Sequence, residues 1–396
     1  MAIQVGIGLS TAKDPLQAAK EAVEQARIQI NKRAIDLAIV FSSIEFAHPA
    51  VLKIISGLLG SANLIGCSSL AIISSQGIFK HGLAIMLLSF PEGIYFNSAC
   101  VKEINTQPIL KAGEKLGEKL LYGFKDIRRD LSLSFCDGLM PESSSLIYGL
   151  QERLGKSFPL VGACASNNPA FQRTYLYFNQ EVCSNAACGV IWGGKLNFGL
   201  GIKHGWKPLG KPRIVTKSEG NIIYEIDNAP AARVYEEYLD CDLNKLKKEL
   251  KYISIFYPIG IYLTEEEEYL LRNTISIADD GSLRMQGNVP QASPVRLMIG
   301  TKESCLAATR QAADEVKKGL HGRPYNFILV FDSASRYMLL GRRAKEELEI
   351  IKEVLGKDTP IIGLYTFGEQ APLKAINYQG RAYSHNQTIA ILAVGG

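Results

Sequence analysis

The sequence predicts an α/β protein with layered mixed sheets and flanking helices, built from three related α/β units plus a small joining region rich in β-strands. A repeated pattern is the main reason. A buried strand ends on a glycine, a polar loop follows, and the chain returns through a second apolar strand. The pattern occurs three times, at 63–69 with 82–88, at 159–167 with 189–192, and at 360–369 with 389–394. Since each repeat takes roughly 90–100 residues, it indicates a duplicated α/β unit and not one turn of a solenoid.

The first unit shows the elements of the pattern in order. An alternating strand at 3–9 leads to Asp14 and Pro15, which begin a helix as its cap and its first residue. Small and apolar residues recur every three or four positions along this helix and mark a packed face. The remaining elements are a buried strand at 37–41, a helix at 49–59, and strands ending at 68 and 90. Because strands joined through helices run parallel, we expect a mixed sheet.

The later units repeat this order. In the second unit we expect a strand at 93–100, a helix at 109–122, a strand at 131–135 and a hairpin around Asn179-Gln180. In the third, 295–301 corresponds to the first strand and its loop, 304–320 to the first helix, and 327–331 to the buried strand.

The segment from Leu196 to Pro294 lacks the pattern and contains hairpin signals at Gly220-Asn221 and Asp280-Gly281, so we predict a joining region with its own small sheet. This divides the chain into two predicted domains. Residues 1–196 form an N-terminal domain of two units, about 1–92 and 93–196. Residues 197–396 form a C-terminal domain, with the joining region at 197–293 and the third unit at 294–396.

Composition excludes several classes of protein. The net charge is +5, and there is no basic stripe with interleaved aromatic residues, so nucleic-acid binding is not expected. No apolar run reaches the roughly 18–20 residues of a membrane helix, and the N-terminus does not resemble a secretion signal. We therefore expect a cytoplasmic protein without membrane insertion. The eight cysteines form no Cys-x-x-Cys pair, which favours reduced, buried thiols and no metal site.

The third unit has the charged residues expected of a ligand site. Ligands of open α/β sheets bind at the carboxyl ends of strands, and the corresponding loops of the first two units offer mostly hydroxyls and thiols. Arg336 is suited to a bidentate contact with a carboxylate and Glu369 to accepting from an ammonium group, so a small zwitterion is the predicted ligand. The predicted ligand-binding residues are Asp332, Ser335, Arg336, Tyr365, Thr366, Glu369 and Asn386.

Several motifs resemble the FIST domain family, named for F-box and intracellular signal transduction proteins. The similar stretches are Gly6 to Asp14, Phe41-Ser42-Ser43, the run from His204 to Gly210, the loop from Gly363 to Glu369, and His385 to Thr388. The resemblance covers nearly the whole chain and implies a sensory domain with N-terminal and C-terminal halves that binds amino acids or their derivatives. With no output module in the sequence, a separate signalling protein is the expected partner. The family's loop before the arginine usually has a cysteine, whereas 331–336 here has none, so a thiol-dependent role of that loop is not expected.

Alternative interpretations remain open at this point. Arg336 and Glu369 are also suited to an internal ion pair that locks two loops. Some relatives bind haem and respond to nitric oxide, which makes His385 a candidate ligand, although no cofactor is our expectation. A hydrolase would use Cys67 or Cys164 as nucleophile, or Asp332 with Glu369 as an acid–base pair, but no triad signature supports it. An adaptor without ligand would have no pocket and a large exposed apolar patch.

Overall fold

The computed structural model describes residues 2–31, 34–140, 142–167, 172–264, 268–375 and 381–396. It is an α/β protein with mixed sheets and flanking helices, as predicted. The first unit contains β1 (Gln4–Ser10), α1 (Pro15–Arg27), β2 (Leu37–Ser42), α2 (Pro49–Leu59), β3 (Asn63–Ser68), β4 (Ile72–Ser74), β5 (Gly77–Phe79) and β6 (Leu83–Ser89). The second contains β7 (Ile94–Lys102), α3 (Ile109–Leu121), β8 (Arg129–Cys136), α4 (Ser143–Leu154), β9 (Leu160–Cys164), β10 (Leu176–Phe178), β11 (Glu181–Cys183) and β12 (Ala186–Gly194).

The third unit is interrupted by an insertion. After β13 (Asn197–Lys203), the insertion contains β14 (Lys207–Glu219), β15 (Ile222–Ile226), β16 (Ala229–Pro230), α5 (Arg233–Leu239), α6 (Leu243–Phe256), β17 (Ile259–Leu263), β18 (Glu268–Arg272), β19 (Thr274–Ile277), β20 (Leu283–Met285) and β21 (Pro294–Ile299). The unit resumes with α7 (Lys302–Leu320), β22 (Phe327–Ser333), α8 (Ala334–Leu340), α9 (Ala344–Leu355), β23 (Ile361–Thr366), β24 (Gly368–Pro372), β25 (Ala382–His385) and β26 (Ile389–Gly395).

The three units exchange hairpins in a cycle. The described residues form six-stranded sheets in the orders β1-β6-β2-β3-β10-β11, β25-β24-β9-β8-β12-β7 and β13-β26-β22-β23-β4-β5. Each sheet therefore has four strands of its own unit and the hairpin of another. The hairpin β10–β11 of unit two completes the sheet of unit one, β24–β25 of unit three completes that of unit two, and β4–β5 of unit one completes that of unit three. Each unit's sheet is incomplete without another unit.

One apolar core is shared by all three sheets. Its largest cluster takes buried side chains from each unit, including Ile39, Leu133 and Leu329. Phe41, Phe135 and Phe331 occupy corresponding positions of β2, β8 and β22. The ring centroids of Phe41 and Phe135 are 5.6 Å apart and those of Phe135 and Phe331 are 6.0 Å apart, and each pair is arranged edge to face. Edge-to-face contacts between aromatic rings stabilise the core in addition to the burial of the rings. The three units thus meet at equivalent phenylalanines.

A glycine recurs in the same place in each unit. Gly66, Gly162 and Gly363 lie opposite Val40, Ser134 and Val330 on the neighbouring parallel strand. A Cβ built at any of the three would overlap the carbonyl oxygen of that neighbour. The glycine in the repeated sequence pattern is therefore required by the close approach of two strands.

The predicted first strand of the third unit is wrong. Residues 294–299 form β21, which pairs with β14 and β17 inside the insertion, whereas β13 pairs with β26 and packs on α7. Gly199 and Gly201 of β13 contact the backbone of α7 in the way that Gly6 and Gly8 of β1 contact α1. The sequence misleads here because the insertion separates β13 from its helix and places an unrelated apolar strand immediately before it.

The insertion forms its own sheet. Its strands follow the order β18-β17-β21-β14-β15-β20-β19, with β16 paired to β15, in the described part of the chain. The hairpins predicted at Gly220-Asn221 and Asp280-Gly281 are present as β14–β15 and β19–β20. The hairpin predicted at Asn179-Gln180 is β10–β11, and Asn179 has the positive φ of a tight turn.

The close approach at Gly162 predicts a sharp difference between two glycine substitutions. Gly162→Ala forces a methyl group into the carbonyl of Ser134 and is expected to destabilise the protein by about 3 kcal/mol or more. Gly57→Ala, on the exposed side of α2 with no atom within 4 Å of the added Cβ, is expected to be neutral or stabilising by up to about 1 kcal/mol. Urea unfolding of both variants measures this, and equal effects would contradict the assigned strand packing.

Candidate functional site

A cavity of about 470 Å³ lies where the insertion meets the third unit. One wall is the bend at 202–207, through which the chain leaves β13 for β14. The facing walls come from the start of β18, from the face of α7 that carries Ser304 and Gln311, and from His385 and Thr388 near the C-terminus. Its size is typical of sites for small molecules, and two parts of the fold form it together.

The bend at 202–207 is held in one conformation by its own residues. Gly205 has φ +89°, and a Cβ built on it would lie 2.8 Å from the carbonyl oxygen of Ser304, so a larger residue does not fit there. His204 Nδ1 accepts a hydrogen bond of 2.9 Å from the backbone N–H of Trp206. The Trp206 ring is buried and donates through Nε1 to the carbonyl oxygen of Ile255 at 3.2 Å. The cavity wall is therefore preformed.

Charged groups of both signs line the cavity. Lys203 Nζ lies 2.7 Å from Glu315 Oε1, whereas the exposed Lys207 has no ion-pair partner among the described residues. At the start of β18, Glu268 Oε1 lies 3.5 Å from His204 Nε2. Burial alone would raise the pKa of Glu268, but hydrogen bonds from His204 and from the backbone N–H of Tyr269 outweigh it and lower the pKa to about 2. Glu268 is therefore ionised at neutral pH.

Arg336 lies behind the cavity wall and holds it through backbone carbonyls. Its fully buried guanidinium donates through Nη1 to the carbonyl oxygen of His204 at 2.6 Å, and through Nη2 to that of Cys305 at 3.0 Å and to Thr309 Oγ1 at 2.8 Å. His204 belongs to the bend, and Cys305 and Thr309 belong to α7. One side chain thus joins the bend to the helix that faces it.

Two acidic side chains pair with this buried cation. Arg336 Nε donates to Asp332 Oδ1 at 2.9 Å, and Nη2 also donates to Glu347 Oε1. Burial raises the pKa of Asp332 well above its usual range, and the neighbouring Glu347 raises it further. Glu347 is not among the residues predicted from the sequence, although its place beside Ala344, Leu348 and Ile351 on the apolar face of α9 is the signal of a buried, paired acid.

Glu369 is buried separately from Arg336. Its Oε2 accepts from the backbone N–H of Thr388 at 3.1 Å, while Oε1 has no hydrogen-bond partner in the described part of the chain. Burial raises the pKa of Glu369 well above its usual range. Among the described residues the ion pairs of Arg336 are with Asp332 and Glu347, so the alternative of a direct Arg336–Glu369 ion pair is wrong.

The other predicted site residues, Ser335, Tyr365, Thr366 and Asn386, are also buried. Tyr365 stands opposite Asp332 in the β22–β23 register, and Thr366 Oγ1 donates to the carbonyl oxygens of Cys164 and Gly368. Ser335 Oγ and Asn386 Oδ1 accept from Asn273 of the insertion, each at 3.3 Å. All seven predicted residues are buried, and none of them lines the described cavity.

The predicted residues therefore lie in the protein interior, and their contacts are with other groups of the protein. Arg336 has too few free N–H groups for the predicted bidentate contact with a ligand carboxylate, because four of its five have protein acceptors. Direct ligand contact by the seven residues stays a prediction. The cavity residues Lys207, His204 and Glu268 were not predicted as a site, although the charged and aromatic run from Lys203 to Lys207 is a signal for one.

His385 lines the cavity but does not fit the role of a haem ligand in this conformation. Its Nε2 is 2.9 Å from the carbonyl oxygen of Ala371. Burial is the main cause that lowers its pKa, to about 4. The hydrolase alternative likewise lacks a matching geometry in the described part of the chain. Cys164 Sγ has its hydrogen bond with Cys136 Sγ at 3.3 Å and none with a histidine or carboxylate, and burial raises the pKa of the Cys67 thiol well above its usual range.

The chain belongs to the FIST family. It matches the FIST N domain over residues 36–229 and the FIST C domain over residues 231–372. FIST domains are sensory domains of signal transduction. In the described residues no helix is both long and apolar enough to cross a membrane.

Similar proteins extend this finding without assigning a ligand. A protein of Methanocaldococcus jannaschii described as uncharacterized is 24% identical over 298 residues, covering 68% of this chain, and the chain spans 56% of its length. An uncharacterized protein of Mycobacterium tuberculosis is 25% identical over 390 residues, which are 95% of this chain and 96% of that protein.

Two solved structures are similar at a lower level. A cyanuric acid hydrolase from A. caulinodans is 10% identical, covers 99% of both chains and has a TM-score of 0.37. A chorismatase is 8% identical, covers 100% of this chain and 99% of its own, and has a TM-score of 0.35. No activity is transferred from likenesses of this size.

The buried His385 predicts a specific pH dependence of stability. Because its pKa is about 4 in the folded protein and about 6.5 when free, only the unfolded chain binds this proton between those values. The free energy of unfolding is therefore expected to fall as the pH falls from 6.5 to 4, with a contribution from His385 of about 3 kcal/mol. His385→Gln, which keeps a donor for the Ala371 carbonyl, should remove this contribution.

Urea unfolding at several pH values between 4 and 7 measures the effect. His321→Asn is the matched control, because His321 is exposed at the end of α7 and asparagine tolerates its positive φ. A His385→Gln variant whose stability changes with pH as steeply as that of the control would contradict the assigned burial.

The Arg336 network predicts a large loss of stability when its cation is removed. Arg336→Met leaves Asp332 and Glu347 buried without their cation and is expected to cost about 3–5 kcal/mol. Arg310→Met removes the exposed ion pair with Glu353 and is expected to cost less than about 1 kcal/mol. Denaturant unfolding of the two variants compares them directly, and similar costs would show that the guanidinium is not the centre of a buried network.

Proposed function

We propose that this chain is a sensor whose ligand is a small zwitterion, an amino acid or a close derivative, bound in the cavity between the insertion and the third unit. The observation that supports this is the opposite charge on its walls. Lys207 supplies a cation without an ion-pair partner in the described residues, and Glu268 supplies a carboxylate whose pKa is about 2. A ligand carboxylate would bind the first group and a ligand ammonium the second.

The rest of the cavity suits a small polar molecule with a modest side chain. Ser304, Gln311 and Thr388 offer hydroxyl and amide groups, while Tyr269 and Leu373 offer apolar surface. A volume of about 470 Å³ accommodates such a ligand. The cavity also counts against an adaptor without ligand, which was expected to have no pocket.

Signal output is expected to follow from the position of the cavity. A ligand in the cavity would contact both the bend and β18, where the insertion meets the third unit. If it binds one relative position of these two parts more tightly than another, it would increase the population of that position. The proposal includes a separate signalling protein as the partner that detects this shift, and a cytoplasmic location.

Thermal unfolding in the presence of the standard amino acids, each at millimolar concentration, tests the proposal. At least one amino acid is expected to raise the unfolding temperature, because ligand bound only by the folded state stabilises it. Lys207→Met and Glu268→Gln are expected to weaken that effect by about 10- to 100-fold in apparent affinity, since each removes a charge-assisted contact. Lys248→Met and Glu249→Gln, on the exposed side of α6, are the matched controls and should leave the shift unchanged.

The same assay tests direct ligand contact by the buried cluster. If the seven residues bind the ligand themselves, Asp332→Asn and Glu369→Gln should abolish the shift while Lys207→Met and Glu268→Gln preserve it. No stabilisation by any amino acid in the wild-type protein would contradict the zwitterion proposal as a whole.

A further inference from the structure

One position in the three units has a different chemistry in each. Directly after the shared phenylalanines, β2, β8 and β22 continue with Ser42, Cys136 and Asp332. Their partners on the neighbouring parallel strands, two residues after the recurring glycines, are Ser68, Cys164 and Tyr365. The pair is therefore Ser–Ser in the first unit, Cys–Cys in the second and Asp–Tyr in the third.

In the first and third units these side chains are engaged with other parts of the protein. Ser42 Oγ lies 2.6 Å from the hydroxyl of Tyr177, and Ser68 Oγ donates to the carbonyl oxygen of Ser166 at 2.9 Å. Asp332 holds Arg336, as described above. In the second unit the two side chains face each other instead, and Cys136 Sγ lies 3.3 Å from Cys164 Sγ.

The backbone geometry at this pair suits a covalent bond between the sulfurs. Cys136 and Cys164 are directly opposite each other on parallel strands. Adjacent strands are separated by about 4.8 Å, which lies within the Cα separations of about 4.4–6.8 Å found for disulfides. Only a small movement of the side chains is therefore needed to close the gap.

A polar group from another unit also contacts this pair. Gln370, on the hairpin that the third unit places in this sheet, donates through Nε2 to Cys136 Sγ at 3.1 Å and accepts from Ser134 Oγ through Oε1. The hydrogen bond with Cys164 and burial raise the pKa of the Cys136 thiol well above its usual range, so Cys136 suits the second, resolving step, in which the Gln370 donor faces the attacking sulfur.

We propose that Cys136 and Cys164 form a redox-active dithiol that a peroxide converts to a disulfide. As whole residues, Cys164 is 4% exposed and Cys136 is 0% exposed, and on this basis we assign the first reaction with peroxide to Cys164. The Cys164 sulfur attacks one peroxide oxygen, the O–O bond breaks, and a sulfenic acid and water form. The Cys136 sulfur then attacks the sulfenic sulfur, the S–O bond breaks, and its hydroxyl leaves as water with the Cys136 proton. Two thiols are oxidised and one hydrogen peroxide is reduced to two waters.

Oxidation of the pair would also affect the third unit, because Cys164 contacts residues of that unit. Gly368 of β24 is paired with Cys164, and Thr366 Oγ1 donates to the Cys164 carbonyl. A disulfide at this point would cross-link the two central strands of the second sheet beside the strand that the third unit contributes. The inference does not depend on the proposed ligand, because it rests on the sulfur geometry alone.

Treatment of the full-length protein with hydrogen peroxide, followed by denaturation, alkylation of remaining thiols and peptide mass spectrometry, tests the proposal. We expect one cross-linked peptide pair containing Cys136 and Cys164, lighter by two hydrogens and restored by dithiothreitol, with the other cysteines alkylated. Oxidation should also raise the unfolding temperature, because the bond closes a loop in the unfolded chain.

Two variants separate this outcome from general oxidation. Cys164→Ser should lose both the cross-link and the rise in unfolding temperature, and Cys241→Ser, at the half-buried thiol of the insertion, should retain both. Alkylation of all eight cysteines after peroxide treatment would overturn the proposal. So would a cross-link between other cysteines, such as Cys100 with Cys183, or a terminal sulfinic acid at Cys164. Because the cross-link is read on the wild-type protein, the test holds even where a variant folds poorly.

Discussion

The third unit and its cavity depend on the hydrogen bonds and ion pairs that the Arg336 guanidinium makes. A fully buried cation is costly unless paired, and here Asp332 and Glu347 pair it from β22 and α9. The N–H groups that remain hold the carbonyls of His204 and Cys305. Because His204 lies in the bend that leads into the insertion, the same cation that joins strand and helices also positions the cavity wall. Arg336 and Asp332, which the sequence marks as site residues, thus hold the cavity wall in place without lining the cavity.

Hairpin exchange sets the second constraint. Each six-stranded sheet takes two strands from a different unit, so the units fold as one body and a change in one reaches the next through its hairpin. The insertion forms its own sheet, but it also packs on the third unit through a shared apolar cluster that includes Ile255, Leu271 and Leu340. Hydrogen bonds from Arg272 and Asn273 to the C-terminal segment add to this contact.

Much of the fold follows from local sequence patterns. The strand–glycine–loop repeat predicts the three units, because Gly66, Gly162 and Gly363 meet the same steric requirement in each. Hairpins at 179–180 and 280–281 follow from turn residues. The place of β13 does not follow, since its partners β26 and α7 are distant in sequence and the insertion places β21 next to α7.

The candidate site was harder to predict for a physical reason. The sequence predicts Asp332, Arg336 and Glu369 in loops at strand ends, whereas the structure places Arg336 in α8 and Glu369 in β24. The sequence also does not show which acid pairs with which cation, and Glu347 of α9 takes the place expected for Glu369. The cavity forms between two parts of the fold whose relative position no local pattern encodes. Lys207 and Glu268 are charged residues among many until tertiary structure brings them to one cavity.

The most direct test of this account is a crystal structure of the protein soaked with the amino acid that stabilises it most. The account predicts electron density for that amino acid in the cavity, with its carboxylate at Lys207, its ammonium group at Glu268 and the Arg336 network unchanged. Density between Arg336 and Glu369, with the hydrogen bond from Arg336 to His204 broken, or at a site elsewhere on the molecule, would contradict it.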